Sequence, residues 1–339
     1  MSPGVAEETE DKASVRLHIF GGIVRGEGDM VLSAGGRHPT DDWGWGRDFR
    51  DIDDRDWNSP WKAGHYYGEI TVDDVDEKDV EFAVEACRLL VATGGRWTKH
   101  DLLFKILALQ PDGDAVWVFG YHEVARLAGG ELRELAVENP APGEARPIVE
   151  DVAALAGSHY AAARQGDVLR LERAGRGVKW TRIHPRGGAA HCIVGAADAL
   201  WVGRREDVLV ARGSLARPTW ERRAVRGRGY VSALAYTEGE LLVGTSAGEL
   251  MTSDGGALRK VAECEGLQVS SVVRFRGVLF ASAGWLYREV RGGAERVSLP
   301  SPHPRAGALR VVGDRLWLLG AHGVFSTVDG ESWSALAFR

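Results

Sequence analysis

Residues 314–338 decide the fold: Asp314-RLWLLG, then Gly323-VFSTVDG, then Trp333-SALAF. Short apolar runs bounded by Gly, Asp or Asp-Gly read as β-strands, and runs this close together must hairpin back on one another. Just upstream, Ala308-LRVVG supplies one more strand of the same kind. The last thirty-odd residues thus predict a four-stranded antiparallel unit.

Moving outward, the same unit recurs. Its second strand is an apolar run after a turn residue: Asp114-AVWVFG, Gly157-SHYAAA, Asp198-ALWVG, Glu240-LLVG, Gly277-VLFAS and Asp314-RLWLLG. The starts lie 43, 41, 42, 37 and 37 residues apart. Each run is preceded by an apolar strand such as Ile148-VEDVAALA or Tyr230-VSALAYT. Each is followed by an alternating strand such as Asp167-VLRLERA and then a closing strand such as Trp180-TRIHP or Trp220-ERRAV. A period near 40 residues with four short strands per unit is the signature of a β-propeller blade. A sandwich would not hold that period through six units, and helical repeats need a 3.6-residue pattern that these runs lack.

Six units fill roughly 102–339. Val15-RLHIFGGIV and Asp29-MVLSAGG read as the first two strands of a seventh, with Tyr66-YGEITV and Val80-EFAVEACRLLVA as its outer strands. The expectation is therefore all-β. It is a seven-bladed propeller of four-stranded antiparallel blades, with an acidic, Trp-rich insertion (about 37–64) in the N-terminal blade. Residues 1–14 are read as a disordered tail and 15–339 as one domain. Alternatively, N-terminal strands complete the last blade and close the ring.

Composition agrees with that picture. Gly numbers 44 among 339 residues, close to twice the usual ~7 %, as many tight turns require. The three cysteines are widely spaced, so neither a disulfide framework nor a zinc pair is suggested. No signal-like N-terminus or long apolar run is present, and the reading is a cytoplasmic monomer without a membrane partner. The net charge of −6 is uneven: residues 1–100 hold 21 acidic and 12 basic residues.

The stretch Thr327-V-Asp329-Gly330-E-Ser332-Trp333 resembles the Asp-box, the hairpin motif T/S-x-D-(x)-G-x-T/S-W of sialidase-type and related BNR propellers. Asp caps the turn, Gly takes positive φ and Trp packs across the hairpin. Thr252-S-Asp254-Gly255-Gly256 is a degraded copy without the Trp, and Trp180 and Trp220 stand where a box Trp would stand. The chain thus resembles a divergent BNR, WD40-like propeller, which implies the fold and says little of function.

Sialidase chemistry would need an early F/Y-R-I-P segment, and none stands near residue 20. His191 and Cys192 are adjacent and alternate across a strand, so they do not share an ion, and no metal or cofactor is expected. The run Asp51-I-Asp53-Asp54-R-Asp56 has the oxygens of a calcium loop but not its Gly and Glu. No G-x-S-x-G or Gly-Lys-Ser/Thr occurs. Arg204, Arg205, Arg222, Arg223, Arg226 and Arg228 cluster, yet a pI near 6 argues against nucleic acid as the primary partner.

The insertion is what the fold alone does not explain. Trp43, Trp45, Trp57 and Trp61 stand among seven aspartates, with Asp51, Asp53, Asp54 and Asp56 the densest group. Aromatic anchors rimmed by charge are the composition of protein-interface hot spots. These eight residues are the candidate partner-binding set; packing of the insertion onto the propeller side is the alternative. The functional expectation is a non-enzymatic protein-binding scaffold. Its alternatives are an immunity-type inhibitor of a basic partner such as a toxin, and a divergent propeller hydrolase or lyase.

Overall fold

The computed structural model describes residues 19–25, 29–36, 85–93, 96–102, 104–138, 146–184, 187–196, 198–253, 256–300, 307–320 and 323–336. Among them lie seven four-stranded antiparallel sheets and no helix. The blades span 19–101, 108–135, 149–184, 190–224, 231–263, 271–296 and 308–335. Each is built from consecutive strands, so the last blade is completed by its own C-terminal strand Ser334–Ala335 and not by an N-terminal one.

The N-terminal blade differs from expectation in its outer half. Its third and fourth strands are Glu85–Thr93 and Arg96–Asp101. The expected strand Val80-EFAVEACRLLVA thus contains most of the observed third strand, and the segment starting at Tyr66 lies outside the described residues. The connection between the second and third strands covers 37–84. The Arg96 strand was missed because its RWTKHD has no apolar alternation to mark it. Residues 1–14, read as a disordered tail, and 37–64 lie outside the described residues.

Among the described residues the core is divided into seven apolar clusters, one at each seam between blades. The seam joining blade 7 to blade 1 packs Trp317, Leu319 and Val324 against Val24, Met30 and Leu32. Burial of each such side chain contributes about 1.5–3 kcal/mol. This packing closes the ring, which leaves no open face of a terminal blade. The second strand of each blade is buried on both sides, which explains its uninterrupted apolar run; Ala199–Arg204 is buried throughout.

Polar latches reinforce the seams near the axis. Asp151, in the inner strand of blade 3, accepts a hydrogen bond from Ile193 N of blade 4 at 2.9 Å. At the same register in blade 6, Ser271 Oγ accepts from Leu309 N of blade 7 at 3.1 Å. Gln110 Nε2 donates to Val152 O, and Ser232 Oγ donates to Val269 O at 2.7 Å. Burial raises the Asp151 carboxyl to about 6, against the lowering effect of its bonds from Ile193 N and Val152 N and of Arg310 in blade 7. The group lies deep among protein atoms yet keeps partial contact with solvent.

Antiparallel order gives the ring two unlike faces. Connections between strands one and two, and three and four, all lie on one face. Those between strands two and three, and from blade to blade, lie on the other. On the first face the turns are tight: Ala156-Gly157, Glu238-Gly239 and Arg276-Gly277 have both central residues at positive φ, the type I′ geometry that matches strand twist. This is the hairpin face. The opposite, loop face carries the blade-to-blade connections and both attachment points of the 37–84 segment.

Candidate functional site

The loop-face mouth of the ring is built by a repeated irregularity. Inner strands carry an extra residue near their start, at Phe20 in blade 1 and, in three consecutive blades, at Glu150, His191 and Ser232 of blades 3, 4 and 5. Such β-bulges re-aim side chains and collect at rims and sites. Arg164 pairs with Glu150. The His191 ring packs against Tyr230 with centroids 4.2 Å apart and planes tilted by 35°, and the Tyr230 hydroxyl donates to Gln268 Oε1 at 3.2 Å. Burial lowers the His191 pKa, opposed by Glu150 and assisted by Arg164. The imidazole is therefore neutral at pH 7. Glu150, His191 and Ser232 thus bring a carboxylate, a neutral imidazole and a hydroxyl to one rim.

From Tyr230 an apolar path runs outward over the loop face. Leu267, next to Gln268, is 40 % exposed, and Trp285 is 37 % exposed. A Cβ placed on Gly284 would stand 3.6 Å from Leu267 Cδ1, which sets Leu267 beside the turn that presents Trp285. The Arg296 guanidinium lies 4.9 Å from the Trp285 ring centroid and pairs with Glu265. An ion network rims the path: Arg228 with Glu263 at 2.5 Å and with Glu249 at 3.4 Å, and Lys260 with Glu249 at 2.9 Å and Glu263 at 2.6 Å. Burial pushes the Glu249 carboxyl up, but its bonds from Lys260 and Arg228 outweigh that and leave it below the usual range. The pairing favours the charged form of all four groups.

The sequence-nominated set Trp43, Trp45, Asp51, Asp53, Asp54, Asp56, Trp57 and Trp61 lies outside the described residues. The second nominated set sits on the hairpin face. There Asp329 Oδ1 accepts from Glu331 N and Ser332 N at 2.8 Å each, and Thr327 Oγ1 accepts from Gly330 N at 2.9 Å. Those backbone N–H bonds, with Thr327 Oγ1 donating as well, lower the Asp329 carboxyl to about 2. Gly330, at φ +84°, packs so tightly that a Cβ would come within 3.0 Å of the Phe280 ring in blade 6. Trp333 meets the same Phe280 edge-on at 6.5 Å. Trp180 packs on Phe119 of blade 2, and Trp220 on His184 of blade 3. Each of these tryptophans braces its blade against the one before it.

Tyr230, Leu267 and Trp285 were missed in the sequence because they lie in the connection between blades 4 and 5, the connection between blades 5 and 6, and blade 6, and come to one face only through the ring. One signal was available: Trp285 opens the third strand of its blade where Asp207 and Glu249 open theirs.

No protein-family model matches the chain, and no curated protein sequence matches it. Solved structures do. Virginiamycin B lyase from Staphylococcus aureus superposes with a TM-score of 0.62 at 11 % identity, over 91 % of this chain and 94 % of the lyase. YCF48 from Cyanidioschyzon merolae superposes with a TM-score of 0.55 at 15 % identity, over 71 % and 88 %. Both are β-propellers. A further structure, of YCF48 bound to D1 peptide, has a TM-score of 0.51 at 15 % identity, over 68 % and 80 %. These identities carry the fold and not the chemistry. The neighbours span a lyase and a peptide-bound protein, so the fold is compatible with either kind of role.

Proposed function

We propose that the protein is a non-enzymatic binding scaffold whose loop face receives a protein partner. The observation that carries this reading is the pair of exposed side chains Leu267 and Trp285 on the same face as half-buried Tyr230, edged by Arg296 and the Arg228–Lys260 network. Trp, Tyr and Arg in such a setting are the residues that dominate interface energetics. The acidic, Trp-rich insertion leaves and re-enters the ring on this same face, which supports a role for Trp43, Trp45, Trp57 and Trp61 in that contact. A basic partner, a toxin among them, would be drawn to Asp51, Asp53, Asp54 and Asp56, with an on-rate that falls as salt rises. The box-like hairpin at Thr327–Trp333 supports kinship with BNR, Asp-box propellers. The buried free thiols of Cys192 and Cys264 support a reducing, cytoplasmic setting.

The test is affinity capture from native lysate. We compare the intact chain, a chain lacking residues 38–62, and the Tyr230→Ala/Trp285→Ala pair at equal melting temperature. A protein retained by the intact chain and lost from both variants supports the reading. A protein retained equally by all three contradicts it.

The three bulges favour a second reading, a lyase or hydrolase at the mouth with His191 as base. Its test is mass spectrometry of a small-molecule pool incubated with the intact protein and with His191→Gln. A compound consumed by the first alone establishes this reading.

A further inference from the structure

The hairpin face carries a feature that the binding reading does not use. Between the first turns of blades 2 and 3 lies a cleft of about 290 Å³, lined among others by Pro111, Asp112, Leu155, Ala156, Gly157 and His159. That volume sits at the lower edge of the ~300–1,000 Å³ of ligand pockets, so its occupant is small. The walls are apolar side chains and backbone, and two polar side chains define its chemistry.

Asp112 is the first. Trp117 Nε1 donates to its Oδ2 at 3.0 Å and Arg126 to the same oxygen at 3.4 Å. Both bonds use Oδ2, which leaves Oδ1 for a further donor. The Trp117 bond chiefly, with help from Arg126, holds the carboxyl below its usual range despite the cost of burial, so it is an anion at neutral pH. His159 is the second. It is 8 % exposed, and its Nε2 is buried with no hydrogen-bond partner among the described residues. Its ring is clamped by Trp117 at 5.2 Å and Phe119 at 5.6 Å. Burial lowers its pKa, so His159 remains neutral and does not compete as a cation for Asp112.

An orphaned buried nitrogen is uncommon in a folded protein, and a bound ligand is one way for such an atom to gain its missing hydrogen bond. The neighbouring carboxylate specifies a cationic donor. The apolar walls specify a methylene stem beside it, as lysine stems lie along apolar surface. We propose that this cleft binds a primary alkylammonium group, its N–H groups directed at Asp112 Oδ1 and His159 Nε2 and its stem along Pro111 and Leu155. The group could be a free amine or the side chain of a lysine on another protein. To reach Nε2 the turn at Ala156-Gly157 must yield slightly. Gly113 and Gly157 have nothing within 4 Å of a Cβ position, so both turns border open space.

The probes are n-butylammonium chloride and Nα-acetyl-lysine methylamide. Each is titrated into the intact protein while the His159 ring resonances are followed by NMR. For so few atoms the expected dissociation constant is about 1 mM. Asp112→Asn should weaken binding about tenfold, as the loss of a charge-assisted bond. Pro111→Lys, which sets a competing ammonium at the mouth without touching the Asp112 bonds, should weaken it similarly. Asp114→Asn, in the same turn but outside the cleft, should leave it unchanged. Binding of the lysine derivative alone identifies a protein side chain as the source, and binding of the free amine alone identifies a small molecule. The proposal is overturned if neither probe moves His159 up to about 50 mM, well above the expected constant. It is equally overturned if both cleft variants bind like the intact protein.

Discussion

The two faces of the ring are made by the same seven blades and are built differently. On the hairpin face the chain turns in two residues wherever it can, with Ala156-Gly157, Glu238-Gly239 and Arg276-Gly277 repeating one geometry. The turn at Thr327–Trp333 spends its polar groups on itself and its tryptophan on the neighbouring blade. On the loop face the blade-to-blade connections are longer and unlike one another. Three consecutive bulges disturb the inner strands there, and Leu267 and Trp285 stay in solvent. Repetition marks the parts that hold the ring; departures from it mark the parts free to meet something else.

The sharpest way to break that contrast is to truncate the large side chains of the loop face. Tyr230→Ala with Trp285→Ala should reduce affinity for the captured partner by at least ~100-fold, since each is placed as a hot spot. The melting temperature should fall far less than for a seam residue, because neither side chain belongs to an apolar seam cluster. Surface plasmon resonance and thermal melting on the same samples check both halves. On the hairpin face, Trp333→Ala should do the reverse. It should cost about 2–3 kcal/mol, below the ~3–5 of a fully buried aromatic because the side chain is half-buried, and leave partner affinity intact. Urea unfolding gives the figure.

Two smaller effects sharpen the comparison at the seams. Asp151 and Ser271 do the same work at blades 3/4 and 6/7, but only the carboxylate titrates. Its pKa rises from 3.8 to about 6 on folding, so the folded state holds the proton more tightly. That contribution is full below about pH 4 and is lost as pH rises through about 6. Its size is about 1–2 kcal/mol, discounted for the group's partial contact with water. Asp151→Ser, which copies the blade 6/7 latch, should remove this slope between pH 4 and 7 in denaturant titrations. Asp329 has the opposite sign. Its carboxyl falls from 3.8 to about 2, so its help is present above about pH 4 and fades as pH drops through 2. Asp329→Ala should therefore narrow the gap to the intact protein in acid melts, by the smallest shift of the series.

The sequence revealed what repeats. Apolar second strands recur about every 40 residues because each must be buried on both faces, and that alone disclosed six blades. Blade 1 was harder to read because its 37–84 connection breaks the period and its closing strand RWTKHD carries mixed polar residues at an outer edge, where nothing demands alternation. The seams were half legible: Trp180, Trp220 and Trp333 stand out in the chain, but not that each leans on the preceding blade. The loop-face path was illegible because Tyr230, Leu267 and Trp285 are joined only by ring geometry. The hairpin-face cleft was equally hidden, since Asp112 and His159 lie 47 residues apart in different blades.

The most direct measurement is a double exchange between the faces. Partner binding is compared in a Tyr230→Ala/Trp285→Ala chain and in a chain altered only on the hairpin face, Asp112→Asn with Trp333→Ala. Both are assayed by surface plasmon resonance at a temperature where circular dichroism shows both folded. A loop-face interface predicts that the first variant loses the partner and the second retains it within about twofold, as expected of changes remote from an interface. Retention by the first and loss by the second would place the binding surface on the hairpin face and contradict that assignment.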